Sequence, residues 1–218
     1  MEMVKHCLSA GAIAAVLASI FVALPAFAGA GEKPAPKAVS RSGIPYRPAD
    51  DGAGPPDVVA AIRARRTGGK LLNLDRMLLH SPTFAKAWNG MLGAIRSQLS
   101  LPAKLRELSI MSIGVLNRAD YEWAQHEGEF LKAGGTKEQL AALKDFEKAR
   151  KDASLFDEAE RATLALNYEM TREIAVSEAT MKRVRAVLPD DQVIELVGTI
   201  AGYNMVSRFV VATGVELE

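Results

Sequence analysis

The sequence predicts an all-α domain behind a leader and a linker. Three observations predict it. Apolar residues recur at three- and four-residue spacing through most of the chain from Asp57 onward. The ends of those stretches carry helix punctuation, such as Ser81-Pro82, Leu101-Pro102, Gly134-Gly135 and Gly214. No stretch sustains the period-two alternation of a half-buried strand. Aromatic residues make up only 6% of the 218 residues, so the core must come mostly from Ala, Leu, Val, Ile and Met. With 49% hydrophobic residues the chain is not a disordered one. The 27 Lys and Arg against 26 Asp and Glu leave no basic excess, which excludes a nucleic acid partner.

Residues 1–7 carry one Lys and one His, and Leu8 to Leu24 run apolar without a charge. Pro25 and then Ala26-Phe27-Ala28 complete the layout of a secretory signal peptide over 1–28. Cleavage after Ala28 or Ala30 gives a periplasmic or secreted protein with no stable membrane insertion. The alternative is a retained anchor, since 17 apolar residues sit at the lower edge of a spanning helix. Cys7 is the single cysteine, so there is no intramolecular disulfide and no Cys-based zinc site, and cleavage leaves no thiol. Residues 29–54 hold Pro34, Pro36, Pro45 and Pro48 among several glycines, a composition that reads as a flexible arm. The other reading is an arm that wraps a neighbouring subunit through Ile44 and Tyr46. Residues 55–218 are the helical domain.

Within that domain, Ser81 precedes a proline at the first helical position, and Phe84, Trp88, Met91, Leu92 and Ile95 follow at helical spacing. The next helix runs from Leu101-Pro102 to about Leu116 and ends at Asn117, and another covers 118–133 up to Gly134-Gly135. Thr136 with Gln139 forms a capping box for a short helix to Leu143. Further helices fit 157–173, 178–188 and 191–213, the last stopped by Gly214. His80, just before the Ser81-Pro82 break, reads as a helix C-terminal residue facing the dipole.

Two of these helices carry the candidate chemistry. Ala119, Trp123, His126, Phe130 and Ala133 step by four, three, four and three, so His126 lies on the face to be buried. Glu122 is one turn before it. On the preceding helix Glu107 sits among Leu105, Leu108, Ile110, Met111 and Ile113 with almost no polar face around it. A buried carboxylate needs a partner or a proton, and His126 is the natural candidate. Such a pair suits general acid/base work near neutral pH. It equally suits a structural role, with Arg106-Glu107 as half of an ion-pair network.

The segments Leu105-Arg106-Glu107-Leu108, Tyr121-Glu122-Trp123-Ala124-Gln125-His126 and Lys132-Ala133-Gly134-Gly135-Thr136 resemble the carboxymuconolactone decarboxylase family, which includes the alkyl hydroperoxidase D-like proteins. The resemblance is strongest over residues 80–145. It implies an alkyl hydroperoxidase D-like helical bundle that assembles as a homo-oligomer, a trimer or hexamer, with sites near subunit contacts. In the hydroperoxidase branch two cysteines stand where this chain has Ala119 and Glu122, so a thiol peroxidase of the peroxiredoxin type is not expected here. The decarboxylase branch shares the Glu122-to-His126 spacing. The resemblance therefore implies a carboxy-lyase acting on a small cyclic or unsaturated carboxylic acid, a reaction that needs no cofactor and no metal. In that reading His126 is the proton donor, Glu122 or Glu107 sets its tautomer, and Arg208, one turn from Asn204, grips the substrate carboxylate. Tyr121 and Trp123 shape the pocket wall. The competing expectation is a non-catalytic oligomer that binds a small acid.

Overall fold

The computed structural model describes residues 39–218. The leader expected over 1–28 and residues 29–38 of the expected arm lie outside the described residues.

Ten helices follow one another among the described residues: α1 (Pro56–Arg65), α2 (Asn73–Leu78), α3 (Pro82–Ser97), α4 (Ala103–Asn117), α5 (Asp120–Lys132), α6 (Lys137–Leu143), α7 (Phe146–Ala149), α8 (Glu158–Tyr168), α9 (Glu178–Val187) and α10 (Asp190–Thr213). The only extended pairing described is an isolated bridge between Val39 and Pro45. The punctuation in the sequence acts where it was read. Pro82 sits in the first turn of α3 after Ser81, Thr136 and Gln139 cap α6 reciprocally, and Gly214 ends α10 in the left-handed conformation.

Three features depart from the expected elements. The short helices α2 and α7 were not separately expected. The stretch 157–173 does not run as one regular helix, because α8 passes into a π-helical turn over Glu169–Glu173. Finally, residues 39–54 do not form a loose arm. Tyr46 is buried, its hydroxyl accepts from the Glu216 amide at 2.9 Å, and the Arg76 guanidinium lies over its ring. Arg76 Nε donates to the Arg47 carbonyl, Arg47 Nε to the Ala53 carbonyl, and His80 Nε2 to the Pro45 carbonyl. Prolines cannot donate, so this segment is held by side chains reaching its carbonyls rather than by a ladder. His80, read as facing a helix dipole, thus acts as a clamp on that segment.

Helix α4 is the centre of the domain. Leu105, Ile110 and Ile113 enter one hydrophobic cluster with α1, α2, α3 and α10, while Leu108, Met111 and Leu116 enter a second with α5 to α8. A helix packed on both sides needs no polar face, which explains the apolar run around Glu107. Helix α10 crosses beside it, and Gly202 lets it approach α3 closely: a Cβ there would stand 2.9 Å from Ile95 Cδ1. Glu195 secures the α4 entrance by accepting from the backbone amides of Ser100 and Leu101. These contacts set α3, α4, α5 and α10 around one buried polar cluster.

Candidate active site

The cluster starts at Glu107, which α4 carries into the interior at 1% exposure. Its Oε2 accepts from His126 Nδ1 on α5 at 2.8 Å, and its Oε1 from Arg106 Nε at 3.2 Å. On the other edge of the imidazole, Arg96 Nη1 at the last turn of α3 lies 3.2 Å from His126 Nε2. A guanidinium only donates, so Nε2 accepts and the proton of the neutral ring sits on Nδ1, facing Glu107. Tyr203 of α10 closes the group. Its ring meets the imidazole edge-on, with centroids 5.2 Å apart, and its hydroxyl is hydrogen-bonded to Arg96.

The electrostatics agree with that proton count. Burial lowers the His126 pKa and Arg96 lowers it further, and together these outweigh the opposing pull of Glu107. Burial alone would raise Glu107, but the His126 hydrogen bond with the charges of Arg96 and Arg106 brings it below the ordinary carboxylate value. Tyr203 is pushed up to about 12, first by burial and then by Glu107 and Glu122, against Arg96.

Glu122 stands apart from this network. It is 2% exposed, and its Oε2 accepts from Ser207 Oγ of α10 at 2.6 Å. Its Oε1 has no hydrogen-bond partner among the described residues. Burial raises its pKa to about 8, with only the Ser207 hydroxyl opposing. At neutral pH Glu122 therefore carries a proton, while His126 has none to spare on the open side.

Both residues line a cleft of about 250 Å³ together with Arg65, Arg66, Lys70, Arg96, Tyr121, Gln125 and Glu129. Leu72, Leu74 and Val206 add apolar wall. Trp88 and Leu92 line a smaller recess that shares Arg96 and His126 with it. Arg66 is committed to Asp75 through two bonds of 2.8 and 2.6 Å, and Arg65 Nε to Asn89. The remaining guanidinium nitrogens of Arg65 and Arg96, with the Lys70 ammonium, make the wall cationic. No group of His, Cys, Asp and Glu among the described residues is arranged to hold a metal ion.

The structure thus brings Glu107, Glu122, His126 and Tyr121 together and leaves three expected residues elsewhere. Trp123 is half-buried against the second hydrophobic cluster and does not line the cleft. Asn204 donates to Thr171 Oγ1 and Ile200 O and accepts from Asn117. Arg208 donates back to the Asn204 carbonyl and side chain on its own helix. The face of α10 toward the cleft is that of Tyr203, Val206 and Ser207, so neither Asn204 nor Arg208 can hold a substrate there. The guanidinium that reaches the cleft beside His126 comes from Arg96 on α3, not from Arg208 on α10. Its signal was the step Trp88, Leu92, Arg96, which extends an apolar stripe by four residues to a charged one. His126 also departs from the expected proton donor, because its outer nitrogen is an acceptor.

Residues 82–151 match the sequence model of the Carboxymuconolactone decarboxylase family. No curated protein matches the chain in sequence. Among solved structures, the fold is similar to an alkylhydroperoxidase AhpD core, an uncharacterized peroxidase-related protein from Ralstonia eutropha JMP134. The TM-score is 0.61 at 19% identity, covering 78% of this chain and 89% of that one. The debrominase Bmp8 in its apo form superposes with a TM-score of 0.61 at 18% identity, over 75% of this chain and 87% of its own. An uncharacterized peroxidase-related protein from Silicibacter sp. TM1040 gives 0.60 at 18% identity, over 69% and 78%. At these identities the likeness shows the fold.

Proposed function

We propose that the cleft takes a small cyclic or unsaturated carboxylic acid and works on it by acid/base chemistry, as a decarboxylase or related lyase, on the premise that residues 82–151 match the Carboxymuconolactone decarboxylase family model. One observation carries this reading: Arg96 and the proton-bearing Glu122, whose Oε1 has no hydrogen-bond partner among the described residues, line the same cleft.

The steps follow from those positions. Arg65 and Lys70 at the wall draw in an anionic substrate. The bond between the ring carbon and the carboxylate breaks, carbon dioxide leaves, and the electron pair passes into the unsaturated system as an enolate. The negative charge moves from the lost carboxylate to the enolate oxygen, where Arg96 stabilises it. Glu122 gives its proton to carbon, and the resulting carboxylate regains one from water through the open cleft. His126, pinned by Glu107, is a positioning residue that aims Arg96. A thiol mechanism is unsupported, because residues 39–218 contain no cysteine. Export, with removal of residues 1–28, is part of this proposal, and a mature N-terminus near Gly29 in protein recovered from its native cell envelope is the mass-spectrometric result that supports it.

The test is a panel of small unsaturated cyclic acids, assayed for carbon dioxide release and for binding. Glu122→Gln keeps the shape without a transferable proton and should lower kcat about 10²–10⁴-fold while still binding. Arg96→Ala should lose both. Full turnover in Glu122→Gln overturns the assignment, and binding without turnover in the unmodified protein turns the reading to a binding module.

A further inference from the structure

Two of the donors that line the cleft are already taken by a carboxylate of the chain itself. Gln125 Nε2 donates to Glu218 Oε2 at 2.7 Å, and the Tyr121 hydroxyl to Glu218 Oε1 at 3.2 Å. The same Oε1 also accepts from the Asn73 amide at 2.7 Å, and Asn73 Nδ2 holds the Glu216 carbonyl at 3.0 Å. Residues 215–218 therefore run as a strap over α2 and α5, tied at several points, with an anionic group seated on cleft donors. Tyr121 and Gln125 are one helical turn apart on α5, and both line the cleft that Arg96, Glu122 and His126 line.

We propose that Glu218 is an autoinhibitory occupant, a built-in carboxylate that competes with an acid in the cleft for the Tyr121 hydroxyl and the Gln125 amide. The inference rests on the acid-binding reading of the cleft. Two effects act in the same direction. Seated, Glu218 withholds two neutral donors, and its charge opposes an arriving anion in a wall otherwise built of cations. When the strap lifts, both donors turn to an oxygen of the ligand, and the opposing charge leaves with it. The contact is exposed on its outer side, so it can open without unfolding the helices on either side.

Benzoate, titrated calorimetrically into the full chain, tests this. Glu218→Ala should bind it about three- to tenfold more tightly than the unmodified protein, the scale of one released hydrogen bond. Glu218→Gln should show a smaller gain, since its carbonyl still holds Asn73 and Tyr121 and only Gln125 is freed. In a Tyr121→Phe/Gln125→Met background the gain from Glu218→Ala should shrink to the part that comes from removing the charge, because no donor remains to be released. A gain undiminished in that background makes Glu218 a field effect and overturns the inference. So do Glu218 variants that bind like the unmodified protein while Arg96→Ala binds more weakly, and in that case the acid-binding reading stands. If Arg96→Ala binds benzoate as well as the unmodified protein does, or nothing binds, the reading of the cleft fails and this inference falls with it.

Discussion

Arg96 and His126 meet at 3.2 Å with the guanidinium as the only possible donor. That contact fixes the imidazole proton on Nδ1 and makes His126 a neutral link between Glu107 and Arg96. Glutamine can reproduce this pattern, donating from its amide nitrogen to Glu107 and accepting with its oxygen from Arg96. His126→Gln should therefore retain kcat to within about tenfold, whereas loss of a general acid costs about 10²–10⁴-fold. His126→Ala should leave Glu107 Oε2 and Arg96 Nη1 without the imidazole between them and cost about 1–3 kcal/mol of stability. Thermal melts and turnover of the two variants check this, and a His126→Gln protein as inactive as His126→Ala would restore the imidazole as proton donor.

Much of this site is legible in the sequence. The apolar wall of α4 announced that Glu107 must be buried, and the four-three-four stripe of α5 put His126 on the face that meets it. Local periodicity settles which face of a helix is inside. It does not settle which helix faces which, and so α10 was assigned the wrong residues. Tyr203 and Ser207 turn toward the cleft, and Asn204 and Arg208 do not, because the close approach at Gly202 sets the rotation of α10 against α3. Residues 39–54 were misread for a related reason: Tyr46 is held by Arg76 and Glu216, partners far along the chain that composition cannot show.

Glu122 predicts how stability varies with pH. Its carboxyl is raised by burial from the ordinary 4.5 to about 8. Between those values the folded chain holds a proton that the unfolded chain has released, so stability falls as pH rises, at about 1.4 kcal/mol per pH unit. The contribution is complete below the unfolded value and the loss levels off above the folded one. Glu107 and His126, both lowered, act oppositely and withdraw stability as the medium is acidified. Denaturant titrations at pH 5, 7 and 8.5 should show Glu122→Gln gaining on the unmodified protein toward alkaline pH. Parallel pH profiles would falsify the burial argument. Turnover should decline above about pH 8 as Glu122 gives up its proton.

Two glycines, one inside α5 and one just after it, should answer alanine in opposite ways. A Cβ on Gly135 would stand 2.3 Å from Phe130 Cε1, and Phe130 is fully buried. Gly135→Ala should cost about 1–3 kcal/mol by overpacking. Gly128, inside α5, has nothing within 4 Å of its Cβ position. Gly128→Ala should add about 0.5–1 kcal/mol through helix propensity. Melting temperatures moving apart from the unmodified value, one down and one up, are the expected result. A Gly135→Ala protein as stable as the unmodified one shows that Phe130 can yield.

The last prediction separates the chemistry from the names attached to similar folds. Peroxide reduction through sulfur needs a thiolate that is oxidised to a sulfenate and then resolved by a second thiol. In the register of α5 those places are held by Ala119 and Glu122, and the only cysteine of the sequence is Cys7. Neither a methyl nor a carboxyl group has a sulfur to oxidise, so neither place can form a sulfenate or a disulfide. The protein lacking residues 1–28 should therefore show no peroxide consumption with dithiothreitol as reductant beyond the buffer rate. Iodoacetamide should leave its turnover of a cleft acid unchanged. Sustained, thiol-coupled peroxide loss in metal-free protein, abolished by Glu122→Gln, would show the cleft working on peroxides by a route that needs no sulfur, and the acid-based reading would have to give way.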